Sequence, residues 1–235
     1  MQIKGKRGSD GIYNIKYKDK EFNFPSVTTI ISKFRDPYLE ELQKEIGDDD
    51  FKKISLNAAN RGSVMHNFLE NYTKAYSKFK DKDKSLLYSQ KKTPREFKDF
   101  DSSIIEKGRN LFYNLYHSEF LEEMHKPLLI EGLMVSFKYK YAGRVDLIYL
   151  DNTKQIILSD FKSSSKYIDI TSNKIIKFKL QLAAYINAFE EIYNKTIECG
   201  VIWVSYPGGI QKIILTKFEY QIYLNFFLNL IKINK

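Results

Sequence analysis

Along the chain, the spacing of hydrophobic positions moves between a period of two and helical spacing. Residues 12–24 (IYNIKYKDKEFNF) alternate and read as a hairpin turning near Asp19-Lys20, ended by Pro25. Ser26 is placed to cap a short helix from Val27 to Phe34. Asp36 and Pro37 supply a cap and a first-turn proline for a second helix, which Gly47 closes. A longer helical stretch follows from about Phe51 to Phe79, with Gly62 as the expected point of a bend. Residues 80–92 read as a solvated loop. Thr93-Pro94-Arg95-Glu96 has capping-box spacing and is expected to open a helix running to about His117.

The pattern changes at Leu128. Residues 128–138 (LLIEGLMVSFK), 142–150 (AGRVDLIYL) and 154–162 (KQIILSDFK) read as consecutive strands, with Asp151-Asn152 turning between the last two. A helix from about Ile175 to Tyr193, a strand over 198–206, a Pro207-Gly208-Gly209 turn, a short strand over 210–215 and a helix from about Phe218 complete the chain. Helices first, then strands, then helix, strand and helix predict an α/β (α+β) fold, with a mixed central β-sheet flanked by helices. We expect a single domain over 1–235. Its helical part spans 26–120 and its sheet core 121–235.

Composition narrows the partners. The 235 residues carry a formal charge of +9, which favours an anionic partner such as nucleic acid. Lysine dominates the cations (32 Lys against six Arg), a bias that an AT-rich genome also produces, so charge alone argues only modestly. Cys199 is the only cysteine, which excludes an intramolecular disulfide and any multi-cysteine zinc or iron–sulfur site. No stretch has the apolar length of a transmembrane helix, so no membrane partner is expected. The N-terminus lacks a signal-peptide run. That fits a cytoplasmic protein of a bacterial or phage-infected cell, with the mitochondrial matrix as the alternative for a processed organellar protein.

Chemistry concentrates between Asp146 and Lys162. Asp146 lies on one expected strand and Asp160-Phe161-Lys162 at the end of the next. Alternation puts Asp160 and Lys162 on one face and Phe161 on the other. A tight turn joins the strands, so a neighbouring strand can bring Asp146 beside that face. Two converging carboxylates repel unless a cation lies between them, and hard oxygen ligands suit Mg²⁺ or Mn²⁺. Such an ion with a nearby lysine supplies what phosphodiester hydrolysis requires. A D-x-K triplet alone is weakly specific. Two carboxylates and a lysine on paired strands are more so.

Gly143-Arg144-Val145-Asp146, Asp160-Phe161-Lys162 and Gln181-Leu182-Ala183-Ala184-Tyr185 together resemble the G-x-x-D, D-x-K and Q-x-x-x-Y motifs of the RecB-like branch of the PD-(D/E)XK nucleases. Upstream, Arg61-Gly62-Ser63-Val64-Met65-His66 resembles the branch's R-G-x-x-x-H motif. Pro25-Ser26-Val27-Thr28-Thr29-Ile30 resembles its P-S-V-T stretch. Within the branch the likeness is to the exonucleases of mitochondrial genome maintenance and their phage relatives. The matches keep the expected order over roughly residues 25 to 210.

The resemblance implies a restriction-endonuclease-like fold with an N-terminal helical arch, which the helices between residues 37 and 117 would build. It implies catalytic roles for Asp146, Asp160, Lys162 and Glu131. It also implies metal ligation by His66, Asp146, Asp160 and the backbone carbonyl of Phe161, and substrate contacts by Gln181, Tyr185, Arg61 and Ser63. Glu70 shares a helix face with His66, where a solvated charge is the simpler expectation. His117 and His125 match no motif and are expected to be structural or solvent-facing.

Single-stranded DNA is the partner this resemblance implies, with replication or recombination proteins as further partners. From Lys74 to Lys98 nine basic residues stand against three acidic ones, interleaved with Tyr76, Phe79, Tyr88 and Phe97. Cations track phosphates and aromatic faces stack unpaired bases. Lys166, Lys174, Lys177 and Lys179 are expected to hold the other side of the strand. No G-x-x-x-x-G-K-[ST] phosphate loop occurs, so this chain does not unwind duplexes with ATP. The leading expectation is an exonuclease needing a free end. An endonuclease of the same superfamily and a non-catalytic DNA-binding subunit are the alternatives.

Overall fold

The computed structural model describes residues 3–34 and 37–233, without the side chain of residue 38. A three-stranded antiparallel sheet comes first: β1 (Lys4–Arg7), β2 (Ile12–Tyr17) and β3 (Lys20–Pro25). The β2–β3 turn is Lys18-Asp19, one residue earlier than the alternation suggested. Both residues have positive φ (46° and 59°), the twist a two-residue hairpin requires. Ser26 caps α1 (Val27–Ile31), its hydroxyl accepting from the Thr29 N–H, but the helix stops short of Phe34. The expected cap Asp36 lies outside the described residues.

Four helices follow: α2 (Pro37–Ile46), α3 (Asp48–Phe79), α4 (Lys82–Glu96) and α5 (Ser102–Tyr116). α3 passes through Gly62 as one continuous helix. The expected loop over 80–92 is instead α4, and Pro94 lies in that helix's last turn rather than at the start of the next. Asp101 caps α5. α4 escapes an apolar-periodicity reading because its buried stripe is Ser85, Ser89 and Thr93, at four-residue spacing. These small polar groups pair with α3: Ser89 Oγ donates to the Phe68 carbonyl, and Asn71 Nδ2 donates to Thr93 Oγ1 at 3.1 Å.

After the one-turn α6 (Phe120–Glu123) comes the main sheet, ordered β4 (Lys126–Ser136), β5 (Tyr141–Leu150), β6 (Ile156–Ser163), β7 (Cys199–Tyr206), β8 (Gly209–Leu215). α7 (Asn173–Tyr193) crosses between β6 and β7, which pair in parallel; the other pairs are antiparallel. α8 (Lys217–Lys232) opens on a full Thr216/Glu219 capping box.

Two hydrophobic layers sandwich the sheet. On one face α3, α5 and α6 pack on Leu147, Tyr149, Phe161 and Trp203. On the other, α1, α7 and α8 pack on Ile148, Leu158, Ile202 and Val204. The split between Phe161 and Leu158 fixes which way Asp160 and Lys162 of β6 project. Among the described residues no helix is long and apolar enough to cross a membrane.

Candidate active site

The site forms where β5 and β6 part. Their ladder ends at Leu147↔Ser159, so the next register position brings Asp146 opposite Asp160. There the Asp146 carboxylate Oδ2 accepts the Phe161 backbone N–H at 2.7 Å. A side chain thus satisfies a strand donor at the mouth of the sheet, where a buried unpaired N–H would be costly. As alternation predicts, Phe161 turns into the α3–α5–α6 layer, its ring 5.0 Å from that of Phe120. Asp160 and Lys162 face α7.

α3 delivers His66, with Nδ1 3.5 Å from Asp146 Oδ2. Glu131 lies between the pairs Ile130↔Leu147 and Gly132↔Val145, hence directly across from Asp146. Its backbone is left-handed (φ 51°), an unfavourable state for a residue with a Cβ. The Arg144 guanidinium holds it there, donating to the Glu131 carbonyl at 2.9 Å. One ligand atom from each of His66, Glu131 and Asp146 lies within 4.8 Å of the others.

Electrostatics show what this cluster lacks. Burial, then Asp146 and Glu70, push the Glu131 carboxyl up to about 8. The carboxyls therefore compete for too little positive charge, a need that a proton or a divalent cation meets. An imidazole and two carboxylates fit such a cation.

Asp160 does not join that group of three. It is 1% exposed, ion-paired to the Lys162 ammonium, and its Oδ1 accepts from Gln181 Nε2 at 3.4 Å. Burial pushes its carboxyl up to about 6, with Lys162 opposing and Asp146 reinforcing the rise. Gln181 also accepts from Lys162 Nζ at 3.1 Å through Oε1 and donates to the Tyr185 hydroxyl at 3.0 Å. Tyr185 is buried, and its ring occupies the space a side chain at Gly143 would need: a Cβ there would lie 2.4 Å from Tyr185 Cε1. That is a steric reason for the glycine three residues before Asp146.

The remaining expected residues divide. Ser63 is exposed, with its hydroxyl donating back to the Ala59 carbonyl. Arg61 lines a cleft beside the end of β6, with its Nε buried and unpartnered. Glu70 ion-pairs with Lys74 yet is close enough to raise Glu131, so it belongs to the site more than a solvated charge would. Its four-residue spacing from His66 was the available signal. No sequence pattern distinguished Arg144 as the clamp on Glu131.

Among the lysines, Lys179 is 8% exposed and ion-paired with Glu219 at 2.6 Å, which removes it from the expected strand-facing set. Tyr76 and Phe97 pack against the core. Phe79 and Tyr88 stay exposed, edge to face at 6.3 Å, with Lys78 and Lys92 over their rings. His117 and His125 are exposed.

Residues 33–211 match the family model of the PD-(D/E)XK nuclease superfamily. The chain is 23% identical over 198 residues to the human mitochondrial genome maintenance exonuclease 1, covering 79% of this chain and 50% of that protein. It thus spans about half the length of this curated relative. A candidate exonuclease from Eubacterium rectale, known as a crystal structure, aligns with a TM-score of 0.46 at 11% identity, over 72% of this chain and 64% of that one.

Proposed function

Because this chain belongs to the PD-(D/E)XK nuclease superfamily, we propose that it hydrolyses phosphodiester bonds of single-stranded DNA from a free end, using Mg²⁺ or Mn²⁺. The observation that carries this reading is the meeting of Asp146 and Asp160 at the open end of the β5–β6 ladder, with His66, Glu131 and Lys162 around them. His66, Glu131 and Asp146 would hold the ion, with Asp160, opposite Asp146 in the ladder register, and the Phe161 carbonyl as the further ligands that the family resemblance implies. When bound, the cation polarises the phosphate and lowers the pKa of a coordinated water.

The protein's own groups prepare that step. Gln181 fixes the Lys162 ammonium and the Asp160 carboxylate relative to one another, so Lys162 presents its charge to the phosphate from a set position. Arg144 holds Glu131 toward the cluster.

Single-strand preference is supported by surfaces beyond the site. Residues 48–59 of α3 contain no buried side chain, so this first part of the helix stands off the core together with α2. The lysine-flanked Phe79–Tyr88 pair offers ring faces to unpaired bases. The 23%-identical human relative is named as an exonuclease, which favours attack from an end.

The test is degradation of end-labelled linear strands, closed single-stranded circles and duplexes with Mg²⁺ or Mn²⁺, with Asp160→Asn as the control. Linear strands should disappear while circles persist. Circles cut as fast as linear strands would replace this reading with an endonuclease.

A further inference from the structure

A second cationic feature lies next to the carboxylates and takes no part in holding a metal. Two glycines build it. A Cβ at Gly108 would lie 2.6 Å from Val64 and 3.0 Å from the Arg61 carbonyl, so α5 crosses α3 in close contact at that point. A Cβ at Gly62 would lie 2.9 Å from Ser163 Oγ, so the end of β6 reaches α3 one residue from Arg61. Between these crossings opens a cleft of about 320 Å³ lined by Arg61, Lys107, Asn110, Asn114 and Ser165, with Pro207 at its side.

The lining carries two cations and no carboxylate. Arg61 Nε is buried and has no hydrogen-bond partner, a state that usually costs stability unless a ligand relieves it. Asn114 is held in place by the Tyr206 carbonyl at 2.8 Å, so this wall is set by the sheet. Arg61 and Lys162 both lie near enough to Lys174 for their like charges, after burial, to lower the Lys174 ammonium. Cations are therefore gathered here, and among the described residues no carboxylate lines the cleft to offset them.

The geometry points to this cleft as a binding site for a phosphate group of the substrate strand, distinct from the phosphate being cut. Arg61 precedes His66 by five residues on one helix, about 7.5 Å of axial rise. The two positions are also about 140° apart around the helix, so a strand that turns from the carboxylates past the end of β6 toward α5 meets Arg61 and Lys107 with a neighbouring phosphate. The inference rests on the nuclease reading of the adjacent site. The neighbouring phosphate is either an internal diester or a terminal monoester, and the guanidinium recognises both.

Lys107 is exposed, so Lys107→Ala should fold. Binding of fluorescent single strands in EDTA, measured by anisotropy across a salt series, isolates the cleft from catalysis. Lys107→Ala should weaken binding several-fold and lessen the slope of log K against log salt by about 0.7, the loss of one phosphate contact. Lys107→Arg should restore both. With Mg²⁺, KM should rise while kcat changes little. Strands with a 5′-phosphate, a 3′-phosphate or hydroxyl ends separate the sources. A loss confined to one phosphorylated end identifies a terminal phosphate, and an equal loss on all three identifies an internal one. Unchanged affinity and slope in Lys107→Ala would overturn the phosphate site alone. Failure of the parent protein to bind any strand would sink the nuclease reading with it.

Discussion

Gln181 accepts a hydrogen bond from the Lys162 ammonium at 3.1 Å while donating to Asp160, so one amide sets the relative position of this lysine and carboxylate. Gln181→Leu keeps the volume and removes both contacts. We expect kcat to fall about 10- to 100-fold, in the range seen for supporting residues around metal ligands. Melting temperature should change little. Steady-state kinetics with a melting curve checks both, and an unaltered kcat would mean that Asp160 and Lys162 hold their positions without it.

Asp160→Asn and Lys162→Ala test the groups themselves. Each should lower cleavage by about 10² or more and leave strand binding in EDTA largely intact. Full activity in either variant would remove that residue from the chemistry.

Without metal, stability should fall as pH rises. Glu131, held up to about 8 against an ordinary 4.5, and Asp160, held up to about 6 against 3.8, keep protons in the folded chain that the unfolded chain has already released. The unfolded state therefore binds fewer protons across that window, and unfolding becomes easier from about pH 4 to about pH 8. Glu131→Gln should flatten the upper part of this curve. Added Mg²⁺ should stabilise the parent more at high pH than at low, because binding displaces protons. Melting scans in EDTA and in Mg²⁺ across this range decide it.

Gly143→Ala puts a methyl group 2.4 Å from the Tyr185 ring. We expect a loss of about 1–3 kcal/mol in urea unfolding, typical of overpacking. Activity should drop as the Tyr185–Gln181 contact shifts. A variant as stable as the parent would show that the ring moves freely.

Much of this was legible from the chain. Asp146, Asp160 and Lys162 were readable because strand alternation and a tight turn place them by local rules. The α7 residues Gln181 and Tyr185 were readable because the resemblance to the Q-x-x-x-Y motif singled them out and one helical turn puts both on one face. Long-range packing hid the rest. α4 buries Ser85, Ser89 and Thr93, residues that count as polar in any periodicity. Lys179 is buried because α8 brings Glu219 to it across the α7–α8 contact, which no local pattern encodes. The left-handed backbone of Glu131 likewise arises from its place in the β4–β5 pairing and from Arg144.

That backbone sets a trade-off between durability and chemistry. At position 131 the chain keeps a residue that suits neither its φ nor its surroundings, being a carboxyl crowded by other carboxyls. A glycine there would relax the conformation and remove the crowding. Selection for thermal robustness alone would therefore discard Glu131, and under the proposed nuclease function its presence marks a position where the fold gives up resilience to keep its reactive centre.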